Sequence, residues 1–256
     1  MNETILAIDA GNTSIHWGYM KDGNLTGSYN RNKHTELSLL PWGEVKKSNC
    51  PVVIAGALLH INEEIGRITK EHDIKFIQLE TAEQRIIKNT YPTLGVDRVC
   101  NLVGAINSFK VLTSPVIVFD FGTATTMTAC DKDNNFLGGL IHTGCEIELK
   151  ALASKTFSLP HVQLATEQKI KKLNPLSNNT EDAMLHGVIV GQIALVESYL
   201  KLFKEETKSE PKIVFTGGNA SIVSRFLKNP DLYDPHLTIK GIYYCYADYL
   251  AKCILK

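Results

Sequence analysis

The chain has no surplus of charge: its 256 residues carry 27 Lys and Arg against 27 Asp and Glu. Without a basic excess, neither nucleic acid nor an anionic membrane is the expected partner, and any anion must be held locally, by backbone dipoles and a few side chains. Long apolar runs are also missing. The most evident one, Val52–Ile61 (VVIAGALLHI), is interrupted by Gly56 and His60 and falls far short of a membrane span. The six cysteines, Cys50, Cys100, Cys130, Cys145, Cys245 and Cys253, form no C-x-x-C pair, and no His stands at zinc-ligand spacing from them. A strand pattern begins by Ile5, leaving no room for a signal peptide, so the expectation is a soluble, reduced, cytoplasmic protein. No linker is rich in Pro or Ser, and the length suits one large domain or two small ones.

What the chain does have is a repeat. The segment IDAGNT, Ile8–Thr13, returns in altered form as FDFGTAT, Phe119–Thr125. Shifting the sequence by 111 positions lays Asp9 on Asp120, Gly11 on Gly122, Lys21 on Lys132, Asp22 on Asp133, Asn24 on Asn135 and Gly27 on Gly138. Apolar Ile5, Leu6 and Ile8 fall on Val116, Ile117 and Phe119 without a gap, the mark of an internal duplication. Each copy reads as a β-branched first strand, a tight Gly and hydroxyl turn, a second strand and a third. Pro51–Leu58 and Ile74–Leu79 then read as strands flanking a helical Asn62–Asp73. Later, a long helix near Asn179–Lys204 precedes the strand KIVFTGG and a helical ASIVSRFL. The expected fold is therefore α/β, two duplicated domains covering residues 1–114 and 115–256, with a cleft between them.

The turns indicate the chemistry. Glycine lets backbone N–H groups come close to a ligand, and successive N–H groups form an anion-binding concavity. Hydroxyls at Thr13 and Ser14, or at Thr123, Thr125 and Thr126, add neutral donors for phosphate oxygens. An Asp beside them is compatible with phosphate only if a cation lies between, so the pattern asks for a nucleotide phosphate chain with Mg²⁺. Thr216-Gly217-Gly218, at a strand end, can admit a flat base or a ribose.

Asp97, in Leu94–Val99 (LGVDRV), opens a helical run. An Asp there has an ordinary use as a helix cap. Phosphoryl transfer to an alcohol also needs a carboxylate to orient the hydroxyl and take its proton, and Asp97 is the candidate outside the turns. Arg98 beside it can hold a polar or charged acceptor. His16, His142 and His161 have no Ser or Cys partner at nucleophile spacing, while Glu146 and Glu148 either support the site or face solvent.

Asp9–Thr13 (DAGNT), Gly95–Arg98 (GVDR), Asp120–Thr125 (DFGTAT) and Gly138–Ile141 (GGLI), in this order, resemble the type III pantothenate kinases. Ser158–Val162, Asn179–Met184 and Thr216–Gly218 also fit. The resemblance implies duplicated ribonuclease-H-like, actin-like ATPase domains and ATP-dependent phosphorylation of pantothenate, the first step of coenzyme A biosynthesis. It assigns ATP to Asp9, Ala10, Gly11, Asn12, Thr13, Ser14, Ile15, His16 and Thr123, and pantothenate to Gly95, Val96, Asp97, Arg98 and Thr180. Asp97 is then the proton acceptor and Asp120 the ligand of a monovalent cation, K⁺ or NH₄⁺. The resemblance further implies a homodimer whose partner supplies Thr180. Two positions depart from the family pattern: Thr143 stands where Pro is usual, and Tyr91 lies nearer to Gly95 than the usual tyrosine. A kinase for another small alcohol and a nucleotide-binding regulator without turnover stay open as alternatives.

Overall fold

The computed structural model describes residues 3–164, 170 and 172–254. The chain divides into two compact units, Met1–Thr113 with Cys130–Leu137 and His236–Lys256, and Ser114–Ala129 with Gly138–Pro235. They are not simple chain halves, since the last helix and one hairpin tip belong with the first unit.

The first unit contains β1 (Ile5–Ala10), β2 (Ile15–Lys21), β3 (Asn24–Leu25), β4 (Asn30–Asn32), α1 (Trp42–Lys47), β5 (Val52–Gly56), α2 (Leu59–Glu71), β6 (Phe76–Gln78) and α3 (Val96–Ser108). The second contains β7 (Val116–Phe121), β8 (Ala124–Cys130), β9 (Phe136–Thr143), α4 (Cys145–Lys155), α5 (Thr180–Thr207), β10 (Lys212–Thr216), α6 (Ala220–Ser224) and β11 (Leu232–Tyr233). The closing helix α7 (Leu237–Ile254) returns to the first unit.

The first sheet runs β3-β2-β1-β5-β6, with β4 also pairing β2, and the second runs β11-β10-β7-β8-β9. Read from the meander, the orders are 3-2-1-5-6 and 9-8-7-10-11, the same path taken twice. β1 is antiparallel to β2 and parallel to β5; β7 is parallel to β10. Both central strands are apolar and buried on both faces, as strands covered on two sides must be. Their limits, 5–10 and 116–121, differ by the sequence offset of 111.

The hairpin tips diverge where the sequences align without a gap. Four residues join β1 to β2, but two join β7 to β8. The β2–β3 turn uses Asp22 (φ 50°) and Gly23 (φ 75°), the two left-handed residues of a two-residue hairpin. Its counterpart takes five residues, 131–135, and Asp131 Oδ1 accepts the N–H groups of Asp133 and Asn135.

In the first unit, Leu6, Ile8, Ile54, Trp42, Val45, Ile61 and Ile65 form one core beneath α1 and α2. α7 packs across β1, β2 and β5 and lies against α3. A Cβ on Gly241 would sit 1.8 Å from the Cys100 carbonyl oxygen, and one on Gly104 would sit 2.5 Å from that of Leu237. The backbones of α3 and α7 thus meet with no room for a side chain. In the second unit, Phe215 stands edge-on to Phe119 and Phe121, with ring centroids 5.7 and 5.3 Å apart. α5 is long and apolar enough by composition to cross a membrane, unlike anything expected above. Its Met184, Leu185, Val188, Ile189, Val196 and Phe203 are buried in this core, as in a core helix of a folded domain.

Candidate active site

Asp9 is the penultimate residue of β1, directly opposite His16 of β2, and the four-residue loop Gly11–Ser14 joins Ala10 to its partner Ile15. His16 Nδ1 lies 3.8 Å from Asp9 Oδ2, and Ser14 Oγ is 3.4 Å from His16 Nε2. The loop is braced from outside: the His34 ring bonds the Gly11 carbonyl at 2.9 Å, and Arg31 Nε donates to Ser14 Oγ at 3.0 Å. Neither Arg31 nor His34 stands out in the sequence, because both follow the second hairpin and only strand pairing returns them to the first turn.

Asp97 is the second residue of α3, and Gly95 takes the cap position. A carboxylate in a first helical turn is favoured by the helix dipole. The backbone N–H groups of Arg98 and of Asp97 itself also favour its charged form. A Cβ on Gly95 would come 2.3 Å from Asp97 Oδ1, so a side chain at 95 would push the carboxylate from this position. Burial pushes the Asp97 carboxyl above its ordinary pKa and the negative charge of Asp9 raises it further, against the two N–H bonds and the Arg98 charge, which lower it. A half-buried carboxylate near a second negative charge holds its proton more readily than an ordinary one.

Arg98 is buried at 5 % exposure, and its Nη1 donates to the Tyr91 hydroxyl at 3.2 Å. Tyr91 packs edge-on to Phe136, with centroids 5.6 Å apart. The structure therefore joins Tyr91 to the Gly-x-Asp-Arg motif, although its sequence spacing is shorter than usual.

In the second unit, Asp120 is the penultimate residue of β7 and Thr123 lies in the turn to β8. Gly122 N–H bonds the Ala124 carbonyl, and Gly144 N–H bonds the Thr123 carbonyl, each at 3.1 Å. Gly217 has φ +95°, and a Cβ there would fall 2.4 Å from Asp120 Oδ1 and 2.6 Å from Phe121 N. The Thr-Gly-Gly segment thus lies directly over the Asp120 carboxylate, a role its sequence did not disclose. Gln192, fully buried on α5, accepts from the Thr125 hydroxyl at 2.7 Å and donates to the Thr143 carbonyl at 2.9 Å and to Glu148 Oε1 at 2.6 Å. Glu148 is accordingly a supporting group, and Thr143, in the usual Pro position, is held by its carbonyl. Thr180 is exposed at the start of α5, where Asn179 Oδ1 caps the helix by accepting the Asp182 N–H at 2.9 Å.

With this geometry in view, a model of the type III pantothenate kinase family matches residues 5–202, well over half of the chain. The chain belongs to that family. Its solved structural neighbours share the fold at low identity. A Campylobacter jejuni protein described as a Baf family transcriptional activator has a TM-score of 0.60 at 19% identity, covering 97% of this chain and 100% of its own. The ADPNP-bound activator of a 2-hydroxyisocaproyl-CoA dehydratase from Clostridium difficile has a TM-score of 0.54 at 13% identity, over 99% and 98%. ADP-bound MreB5 of Spiroplasma citri has 0.54 at 11%, over 99% of both chains. The fold of this pantothenate kinase is thus the duplicated actin-like α/β architecture, and the family's reaction is phosphorylation of pantothenate in coenzyme A synthesis.

Proposed function

We propose that Asp97 is the proton acceptor in ATP-dependent phosphorylation of pantothenate by this chain. The observation that carries the assignment is the half-buried Asp97 carboxylate in the first turn of α3, its pKa raised by burial and by the negative charge of Asp9. The hydroxyl oxygen of pantothenate attacks the γ-phosphorus, and the bond from phosphorus to the β–γ bridging oxygen breaks to release ADP. The hydroxyl proton passes to the Asp97 carboxylate. Gly95–Arg98 orient the acceptor, with Arg98 fixed by Tyr91, and Thr180 of a partner subunit completes the pantothenate site. Asp9 to His16 and Thr123 hold the nucleotide.

The residues fit a divalent cation. Two mutually repelling carboxylates, Asp9 and Asp97, favour one near them, while no group of three or more His, Cys, Asp or Glu is clustered for a metal among the described residues. That suits Mg²⁺, which takes a carboxylate or two and fills its shell from phosphates and water. Asp9 would hold it, and when bound it would neutralise charge on the transferring phosphoryl group. Asp120, with backbone close around it at Gly217, would hold the K⁺ or NH₄⁺. The six cysteines are free, in keeping with a reduced cytoplasmic enzyme. A homodimer is supported by the outer face of α5, where Ala183, Gly187, Val190, Gly191 and Ala194 are exposed at helical spacing and no atom lies within 4 Å of a Cβ built on either glycine.

Purified protein with ATP, Mg²⁺, K⁺ and pantothenate should form ADP and phosphopantothenate, with turnover falling when Na⁺ replaces K⁺. ATP binding without product would instead favour a regulator or another acceptor alcohol.

A further inference from the structure

The two phosphate turns offer N–H groups and hydroxyls but no permanent positive charge of their own. Strand pairing supplies one. β1 and β2 place Asp9 opposite His16, and β2 and β4 place His16 opposite Arg31. Residues directly opposite in adjacent strands share a face of the sheet. Asp9, His16 and Arg31 therefore form a cross-strand row, carboxylate to imidazole to guanidinium, along the edge that carries the Gly11–Ser14 loop.

The strand bearing Arg31 is only three residues long, but two side-chain bonds anchor the residues that follow Arg31. Trp17 Nε1 donates to Asn32 Oδ1 at 2.8 Å, and the His34 ring bonds Gly11 at 2.9 Å. Arg31 itself is exposed and reaches Ser14 Oγ through Nε, at 3.0 Å, so its contact with the loop does not use the terminal nitrogens Nη1 and Nη2. A guanidinium held by Nε presents a planar two-nitrogen fork, the geometry that matches phosphate oxygens. A phosphate chain lying along this row meets its acidic end only through a metal and its basic end directly.

We propose that Arg31 is a phosphate-binding residue of the nucleotide site, contacting the polyphosphate of ATP beside the Gly11–Ser14 loop. The inference rests on the ATP-dependent reading above and concerns the nucleotide alone, so it is tested by binding rather than by turnover.

Equilibrium titration of MgATP and of adenosine into the intact protein, Arg31→Gln and Arg31→Lys tests it. Loss of a charge-assisted pair predicts roughly 10- to 100-fold weaker MgATP binding in Arg31→Gln, with adenosine affinity unchanged. Arg31→Lys should recover part of the loss. The salt dependence of MgATP binding should also be shallower in Arg31→Gln than in the native protein, which the loss of a mere loop brace would not produce. Native-like MgATP affinity in Arg31→Gln, an equal loss of adenosine binding, or an unchanged salt dependence each overturns the proposal. If the native protein binds MgATP but does not phosphorylate pantothenate, the acceptor assignment fails and the Arg31 result stands. If it binds no MgATP, both fall.

Discussion

Replacing Asp97 by Asn keeps the shape of the side chain and removes its charge and its basicity. General-base catalysis contributes roughly 10²–10⁴ in rate, so kcat should fall by about that factor, equivalent to about 2.7–5.4 kcal/mol of barrier. The same substitution has an opposite effect on stability. The folded-state pKa of Asp97 is raised, by burial first and by Asp9 second, so the folded chain binds this proton more tightly than the unfolded chain does. Stability therefore falls as pH rises from the ordinary carboxylate pKa through the raised one, and the penalty is complete above it. Asn escapes that penalty and can still accept one backbone N–H bond. Asp97→Asn should melt higher than the native protein near neutral pH, and the gap should close on acidification. Most substitutions destabilise by about 1 kcal/mol, which makes the sign diagnostic. Calorimetry at neutral and mildly acidic pH, with steady-state kinetics on the same samples, measures both. A native kcat removes Asp97 from the reaction. A lower melting temperature at neutral pH would mean that the N–H bonds and helix dipole outweigh desolvation, refuting the electrostatic account.

The raised pKa also moves the acidic limb of the native kcat/KM profile above the position of an ordinary carboxylate, and Asp97→Asn should flatten that limb. Gly241→Ala should force α3 and α7 apart, costing about 1–3 kcal/mol, lowering the melting temperature by several degrees and reducing kcat by displacing Asp97. Gly43→Ala, where a Cβ meets nothing within 4 Å, is the matched control and should not lower it. Gln192→Leu leaves the buried Thr125 hydroxyl without its acceptor, a cost of about 1–3 kcal/mol. Chemical denaturation should show that loss, and Gln192→Glu, which sets a second carboxylate beside Glu148, should be less stable as pH rises. Asp120→Asn should abolish the advantage of K⁺ over Na⁺ in turnover while the fold, followed by circular dichroism, persists.

The sequence by itself determined the duplication and the chemistry of its turns. The central strands are continuous apolar runs ending in Asp-x-Gly, a local pattern that specifies strand, turn and polar tip without reference to the rest of the chain. Asp97 was legible for a similar reason: the glycine against which its carboxylate packs lies two residues away. The length of each hairpin was not, because an ungapped alignment hides a tip that shortens at one turn and lengthens at the next. α4 and α7 also went unread. α7 is buried against β1, β2, β5 and α3, so it carries few of the polar positions that give a helix its period. Tertiary structure alone decided the surroundings of the candidate site residues. It brought Tyr91 to Arg98, Gly217 over Asp120, Gln192 between Thr125 and Glu148, and Arg31 into line with Asp9. These partners come from separate strands, helices and loops, and sheet register and helix crossing, which no local pattern encodes, fix their distances.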